Sequence, residues 1–243
     1  MTTSSNARIS ALKIKLFSDG ADLDGILAMY RNPWISGFTT NPTLMRKAGI
    51  SDYEAFGRKL LAAVPDRPIS LEVFADDLEG MEVQARKIAT WGSNVNVKIP
   101  VTNTKSVFTG PLISRLSADG VELNVTAIMT LDQVKAVADA LHPDTAAIIS
   151  VFAGRIADTG VDPEPLMRSA VAAIAHRPKA ELLWASPREV LNVFQAEATG
   201  THIITATPDI LNKLSLTGKD LTEYSLETVK MFHNDATAAG FSI

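Results

Sequence analysis

Val95-Asn96-Val97-Lys98-Ile99-Pro100-Val101 reads as a covered β-strand that ends in an ammonium group. Branched apolar residues suit a pleated strand buried on both faces. Lysine is rarely buried unless it is paired or put to chemical use. Burial disfavours its charged form, and a neutral amine is a nucleophile able to form a Schiff base with a carbonyl. The competing reading is a strand-end lysine whose stem is covered while its head reaches solvent.

Working outward, the same strand pattern recurs at Ile14–Ser18, Ile35–Thr39, Ile69–Phe74, Val121–Val125, Ala146–Phe152, Glu181–Ala185 and His202–Thr205. With Val95–Ile99 this makes eight strands. Helical patterns lie between them at Leu78–Trp91, Thr104–Ala118, Leu131–Ala140, Glu164–His176 and Pro187–Ala198. Asp162-Pro163 and Ser186-Pro187 are helix-start signals. Strands alternating with helices define an α/β fold with a parallel sheet. The chain has 243 residues, close to the ~250 of one (β/α)₈ barrel.

The polar residues at or just after the strand ends are Asp19, Asn41, Glu72, Lys98, Asn124, Ser150, Ser186 and Thr205. Their spacings are 22, 31, 26, 26, 26, 36 and 19 residues, a mean of about 26.6, or one βα unit per step. In a barrel these groups converge on one mouth, where barrel enzymes place their sites. An open doubly wound sheet would spread them along an edge, and its usual glycine-rich nucleotide motifs are absent. The expected architecture is a single (β/α)₈ TIM barrel over residues 11–243. It is preceded by a polar, flexible segment, Met1–Ser10, and carries an extra C-terminal helix, Leu221–Ala239.

Net charge is −4 with no dense basic cluster, which argues against nucleic acid or an anionic membrane as partner. No apolar run is long enough to span a membrane, and no secretory leader is visible. With no cysteine, thiol catalysis and thiolate metal sites are excluded. His142, His176, His202 and His233 show no ligand spacing. A cytoplasmic enzyme without a metal is the expectation.

Each strand-end group has a chemical reading and a structural one. Asp19 is an acid/base facing the lysine, or a turn aspartate before Gly20. Thr39-Thr40-Asn41-Pro42-Thr43 offers neutral groups for sugar hydroxyls, or a helix cap. Glu72 alternates with Leu71 and Val73, so it faces the barrel interior beside Lys98, or it is an edge carboxylate. Asn124 and Thr126 share one face of the fifth strand and hold a water or hydroxyl near Glu72, or satisfy each other's surroundings. Ser150, Arg155, Ser186 and Arg188 suit an anion, with Ser186 read as preceding a helix N-terminus.

Taken together, Gly37-Phe38-Thr39-Thr40-Asn41-Pro42-Thr43-Leu44-Met45 and Asn96-Val97-Lys98-Ile99-Pro100-Val101-Thr102 resemble the two signature segments of the transaldolase family. Asn124-Val125-Thr126, Ser150-Val151-Phe152-Ala153-Gly154-Arg155-Ile156 and Ala185-Ser186-Pro187-Arg188 resemble its further blocks, in family order. The resemblance implies a cofactor-free class I aldol mechanism on ketose and aldose phosphates. Lys98 then matches the Schiff-base lysine, Asp19 the acid/base, and Glu72 with Thr126 the holders of a catalytic water. Asn41 and Asn124, with Thr40 and Ser150 nearby, match the groups binding a dihydroxyacetone unit. Arg155, Ser186 and Arg188 match the phosphate site. Glu72 and Phe152 are of the transaldolase type, where the short fructose 6-phosphate aldolases carry Gln and Tyr. Phe38 and Pro187 depart from the usual residues and are expected to reshape the pocket. The resemblance further implies a homo-oligomer, pentamer or decamer, in which Leu221–Ala239 reaches a neighbour. Alternatives that stay open are aldol cleavage releasing free dihydroxyacetone, a sulfonated ketose as substrate, and a non-catalytic sugar-phosphate-binding barrel.

Overall fold

In the computed structural model, which describes residues 9–243, eight parallel strands close on themselves in chain order. They are β1 (Lys15–Asp19), β2 (Ile35–Thr39), β3 (Ile69–Glu72), β4 (Val95–Pro100), β5 (Leu123–Ile128), β6 (Ala147–Val151), β7 (Ala180–Trp184) and β8 (Ile203–Ala206). Parallel pairing of β8 with β1 completes the barrel. The expected (β/α)₈ architecture is therefore the one observed. The first eight positions of the N-terminal segment expected to be flexible lie outside the described residues.

The helices are α1 (Leu23–Tyr30), α2 (Pro42–Lys47), α3 (Tyr53–Ala63), α4 (Leu78–Ala89), α5 (Gly110–Ala118), α6 (Leu131–Ala140), α7 (Ala153–Asp158), α8 (Glu164–Ala173), α9 (Leu191–Ala198) and α10 (Pro208–Asn212). Their starts follow local chemistry. Asp22, Asp52 and Asp77 each accept from a backbone N–H one turn into α1, α3 and α4. Thr130 and Gln133 form a reciprocal capping box on α6. That helix buries Val134, Val137 and Ala138, an i, i+3, i+4 stripe.

Two expected helices begin later than the sequence pattern implies. The α5 helix starts at Gly110 rather than Thr104, because the Asn103 side chain accepts from the N–H groups of Lys105 and Val107 and holds a turn there. The α9 helix starts at Leu191 rather than Pro187. Ser186 sits in the left-handed region at φ 63°, which no helix start permits, and Asn192 accepts from the N–H groups of Arg188 and Glu189. Ser186 therefore does not stand at a helix N-terminus.

The chain divides into two compact units. One is the barrel, Leu12–Leu211. The other contains Asn212–Ile243, with α11 (Leu221–Ala238) as its main element. Asp220 caps α11 through the N–H groups of Thr222 and Glu223, and none of its residues is buried. Among the described residues no helix is long and apolar enough to cross a membrane.

Inside the barrel, Phe17, Ile148, Leu183, Ala185 and Ile203 form an apolar plug, and Phe152 packs against it. Gly37 makes room for this plug. A Cβ at position 37 would come within 2.5 Å of the Phe17 ring. Phe38 is fully buried and is not among the residues that line the cavity above the plug.

Candidate active site

Above the plug lies a cavity of about 470 Å³. All eight polar residues picked out by their spacing line it: Asp19, Asn41, Glu72, Lys98, Asn124, Ser150, Ser186 and Thr205. The regular 26-residue steps have a structural counterpart. In the sheet register Glu72 pairs with Lys98 and Lys98 with Asn124, so three strands present these side chains in one row.

Lys98 is buried, its side chain 8% exposed. It does not snorkel. Its Nζ donates to the Thr40 carbonyl oxygen at 2.8 Å and lies 3.2 Å from Glu72 Oε2. A buried ammonium needs such a partner, since an unpaired charge in this setting is destabilising by several kcal/mol. Tyr53, from α3, donates to the Glu72 carbonyl oxygen at 2.9 Å and fixes the end of β3.

Asp19 occupies the neighbouring side of the mouth. Its Oδ1 accepts from the Thr39 hydroxyl at 2.8 Å. Its Oδ2 faces Asn41 Nδ2 at 3.4 Å. Burial pushes the Asp19 carboxyl above its usual range, opposed by the Lys98 charge and the Thr39 hydrogen bond, while the Glu72 charge adds to the rise. Asp19 is not the cap of α1, a role that falls to Asp22. Asn41 Oδ1 caps α2 through the Leu44 N–H, and the residue also lines the cavity.

A second chain of hydrogen bonds runs across the floor. Ser150 Oγ donates to Asn124 Oδ1 at 2.6 Å, and Asn124 Nδ2 donates to Ser70 Oγ at 2.9 Å. Both ends of the Asn124 amide are thereby oriented. Thr126 Oγ1 is buried without a hydrogen-bond partner, which is unfavourable unless a water or ligand completes it. Beside it, Ala127 adopts φ 64°, where β5 carries one residue more than β6 between the Val125–Ile149 and Ile128–Val151 pairs. Such bulges re-aim side chains at strand ends.

Phe152, Arg155 and Ser186 also line the cavity. The Arg155 guanidinium lies over the Phe152 ring, 5.5 Å from its centroid. Gly154 lets α7 meet the loop after β7: a Cβ there would lie 1.5 Å from the Ser186 carbonyl oxygen. Backbone cannot yield as a side-chain tip can. Gly154→Ala is therefore expected to lower stability by about 1–3 kcal/mol, read as a fall in denaturation midpoint.

Two residues are placed otherwise than their expected roles require. The Thr40 hydroxyl donates to the Ser70 carbonyl at 3.0 Å and does not line the cavity. Its contribution is the backbone oxygen that holds Lys98. Arg188 also lies outside the cavity lining. Its guanidinium forms a two-point ion pair with Asp158, through Nε at 3.0 Å and a shorter contact from Nη2. The sequence reading passed over Ser70 and Asp158, and gave Thr39 no role beyond the hydroxyls shared by Thr39–Thr43. Gly37 is the signal for Thr39: a glycine two positions earlier marks the face of β2 that turns inward against Phe17.

The barrel mouth thus holds an ion-paired lysine beside a buried aspartate. A family described as Transaldolase/Fructose-6-phosphate aldolase matches residues 16–243, and the chain belongs to it. A probable transaldolase of Dehalococcoides mccartyi is 36% identical over 202 residues, covering 83% of this chain and 90% of the relative. One from a Thermoanaerobacter species is 34% identical over 233 residues, covering 95% of this chain and 100% of the relative. Among solved structures, a dihydrodipicolinate synthase from Rhodopseudomonas palustris superposes with a TM-score of 0.56 at 13% identity, covering 90% of this chain and 80% of that one. That likeness concerns the fold alone.

Proposed function

We propose that the protein is a transaldolase that moves a dihydroxyacetone unit from a ketose phosphate to an aldose phosphate. Its donors in this reading are ketoses such as fructose 6-phosphate and sedoheptulose 7-phosphate. The observation that carries this reading is the buried Lys98 ammonium, held between Glu72 and the Thr40 carbonyl on the wall of a cavity that Asp19 also lines. Membership of the family and the names of the relatives support it.

In this reading Lys98 gives up a proton toward Glu72 and attacks the ketose C2 carbonyl. Loss of water yields a protonated Schiff base. Asp19 takes the proton of the C4 hydroxyl, the C3–C4 bond breaks, and the electron pair moves into the enamine. The aldehyde product leaves with its anionic group. A second aldehyde enters, the steps reverse with Asp19 returning its proton, and water releases the new ketose. Glu72 and Thr126 hold the water that shuttles protons at the Schiff base. Asn41, Asn124 and Ser150 bind the three-carbon unit, and Phe152 forms its apolar wall. Arg155, Ser186 and Arg188 receive the anion. Arg188 must leave Asp158 to do so, and exposed ion pairs of this kind are weak.

The transferase reading is tested by supplying ketose phosphate with and without an acceptor aldose phosphate. New ketose only with acceptor supports it. Free dihydroxyacetone at the same rate without acceptor assigns the aldolase reaction instead. Asp158→Asn is expected to lower KM for the phosphorylated ketose about threefold with kcat unchanged, measured by steady-state kinetics. The reading includes a homo-oligomer, pentamer or decamer. Its support is α11, on which Leu221, Leu226, Val229 and Phe232 are exposed, and light scattering tests it. A cytoplasmic location completes the proposal.

A further inference from the structure

Thr205 lies in the final strand and lines the cavity, yet the steps above give it no task. It is 6% exposed, and its Oγ1 stands 2.6 Å from Thr39 Oγ1. Thr39 is 4% exposed and donates to Asp19 Oδ1 at 2.8 Å. A hydroxyl carries one proton. Asp19, when ionised, only accepts, so the Thr39 proton is committed to it. The proton between the two threonines must then belong to Thr205. Counting donors gives the chain one direction, from Thr205 to Thr39 to Asp19.

We propose that Thr205 is a positioning residue for the acid/base step, holding the Thr39 hydroxyl turned toward Asp19 and leaving Asp19 Oδ2 to exchange the substrate proton. The proposal rests on the reading of Asp19 as acid/base. Thr205 donates to a lone pair of Thr39, which strengthens the bond that Thr39 in turn donates to the carboxylate. With Oδ1 engaged by Thr39, the proton from the substrate hydroxyl goes to Oδ2, whose hydrogen-bond contact among the described residues is Asn41 Nδ2 at 3.4 Å. The residue acts through Thr39 and touches no reacting atom.

The charged groups that bear on Asp19 are Lys98 of β4 and Glu72 of β3. Arg155 shares the cavity, while Asp22 and Lys47 line an adjoining one with Asp19. A change at Thr205 alters none of these charges, so its effect on a pH profile reports the hydrogen-bond chain.

The experiment compares Thr205→Val, close in shape but without the hydroxyl, with Thr205→Ser. Expected for Thr205→Val are a kcat lower by about tenfold, a KM within about twofold, and continued formation of a borohydride-reducible adduct with fructose 6-phosphate. The acidic limb of its kcat profile moves to higher pH, because a carboxylate with a weaker donor holds its proton more tightly. Thr205→Ser restores both kcat and the limb. A Thr205→Val enzyme with unchanged kcat and unchanged limb overturns the proposal. So does a Thr205→Ser enzyme impaired as much as Thr205→Val, which would assign the effect to packing. Asp19→Asn is run beside them. Full turnover by that variant would sink the acid/base reading itself, a result separate from any behaviour of Thr205.

Discussion

Replacing Lys98 with methionine is expected to abolish turnover of fructose 6-phosphate, lowering kcat/KM by about 10⁴-fold or more. Methionine keeps the apolar stem and removes the amine. The variant also strips Glu72 of its ion-pair partner. A carboxylate left unpaired at a buried site is destabilising by about 3–5 kcal/mol, somewhat less here because the Glu72 side chain is 15% exposed. The double change Lys98→Met with Glu72→Gln removes the stranded charge. It is expected to recover most of the stability and none of the activity. Denaturation midpoints and initial rates on the three proteins separate the chemical role of the amine from its part in holding the mouth together.

Asp19→Asn is expected to cut transfer by about 10²–10⁴-fold, the usual scale for a positioned acid/base, while Schiff-base formation at Lys98 continues. Asparagine keeps the shape and accepts from Thr39, but it cannot take the C4 hydroxyl proton. In the unaltered protein the carboxyl lies above its usual range because burial outweighs the Lys98 charge and the Thr39 bond. The base form is therefore lost on acidification at a higher pH than for an ordinary aspartate. Activity falls as pH drops through that raised value. The acidic limb should be missing from the residual activity of Asp19→Asn, read from kcat/KM across the acid range.

The barrel was legible because its signal is repeated. Each strand is short, branched and apolar, and each ends in a polar group about one βα unit after the last. No single strand carries that inference, and Val95–Val101 by itself is equally a strand-end lysine reaching solvent. Of the three consecutive 26-residue steps from Glu72 to Ser150, the first two were a direct imprint of register, since Glu72 pairs with Lys98 and Lys98 with Asn124, whereas Asn124 pairs with Ile148, two residues before Ser150.

Local competition hid the rest. Thr39 and Thr40 are chemically alike, and which of them faces inward depends on a strand phase that adjacent residues of one type do not reveal. Gly37 opposite Phe17 sets that phase. Ser186-Pro187 has the composition of a helix start. The backbone of Ser186 instead turns left-handed against Gly154, a contact between positions 32 residues apart. Arg188 reads as an anion ligand from its block, yet Asp158, 30 residues earlier, occupies its guanidinium. These are tertiary pairings, and periodicity is blind to them.

The central claim is that the Lys98 amine bonds covalently to the ketose, and borohydride reduction in the presence of fructose 6-phosphate tests it most directly. Protein reduced with the ketose and no acceptor, then digested and read by mass spectrometry, should carry the reduced sugar phosphate on the peptide containing Lys98. The adduct should be absent without borohydride and absent in Lys98→Met. No adduct under conditions of turnover, or an adduct confined to another lysine, would contradict the account.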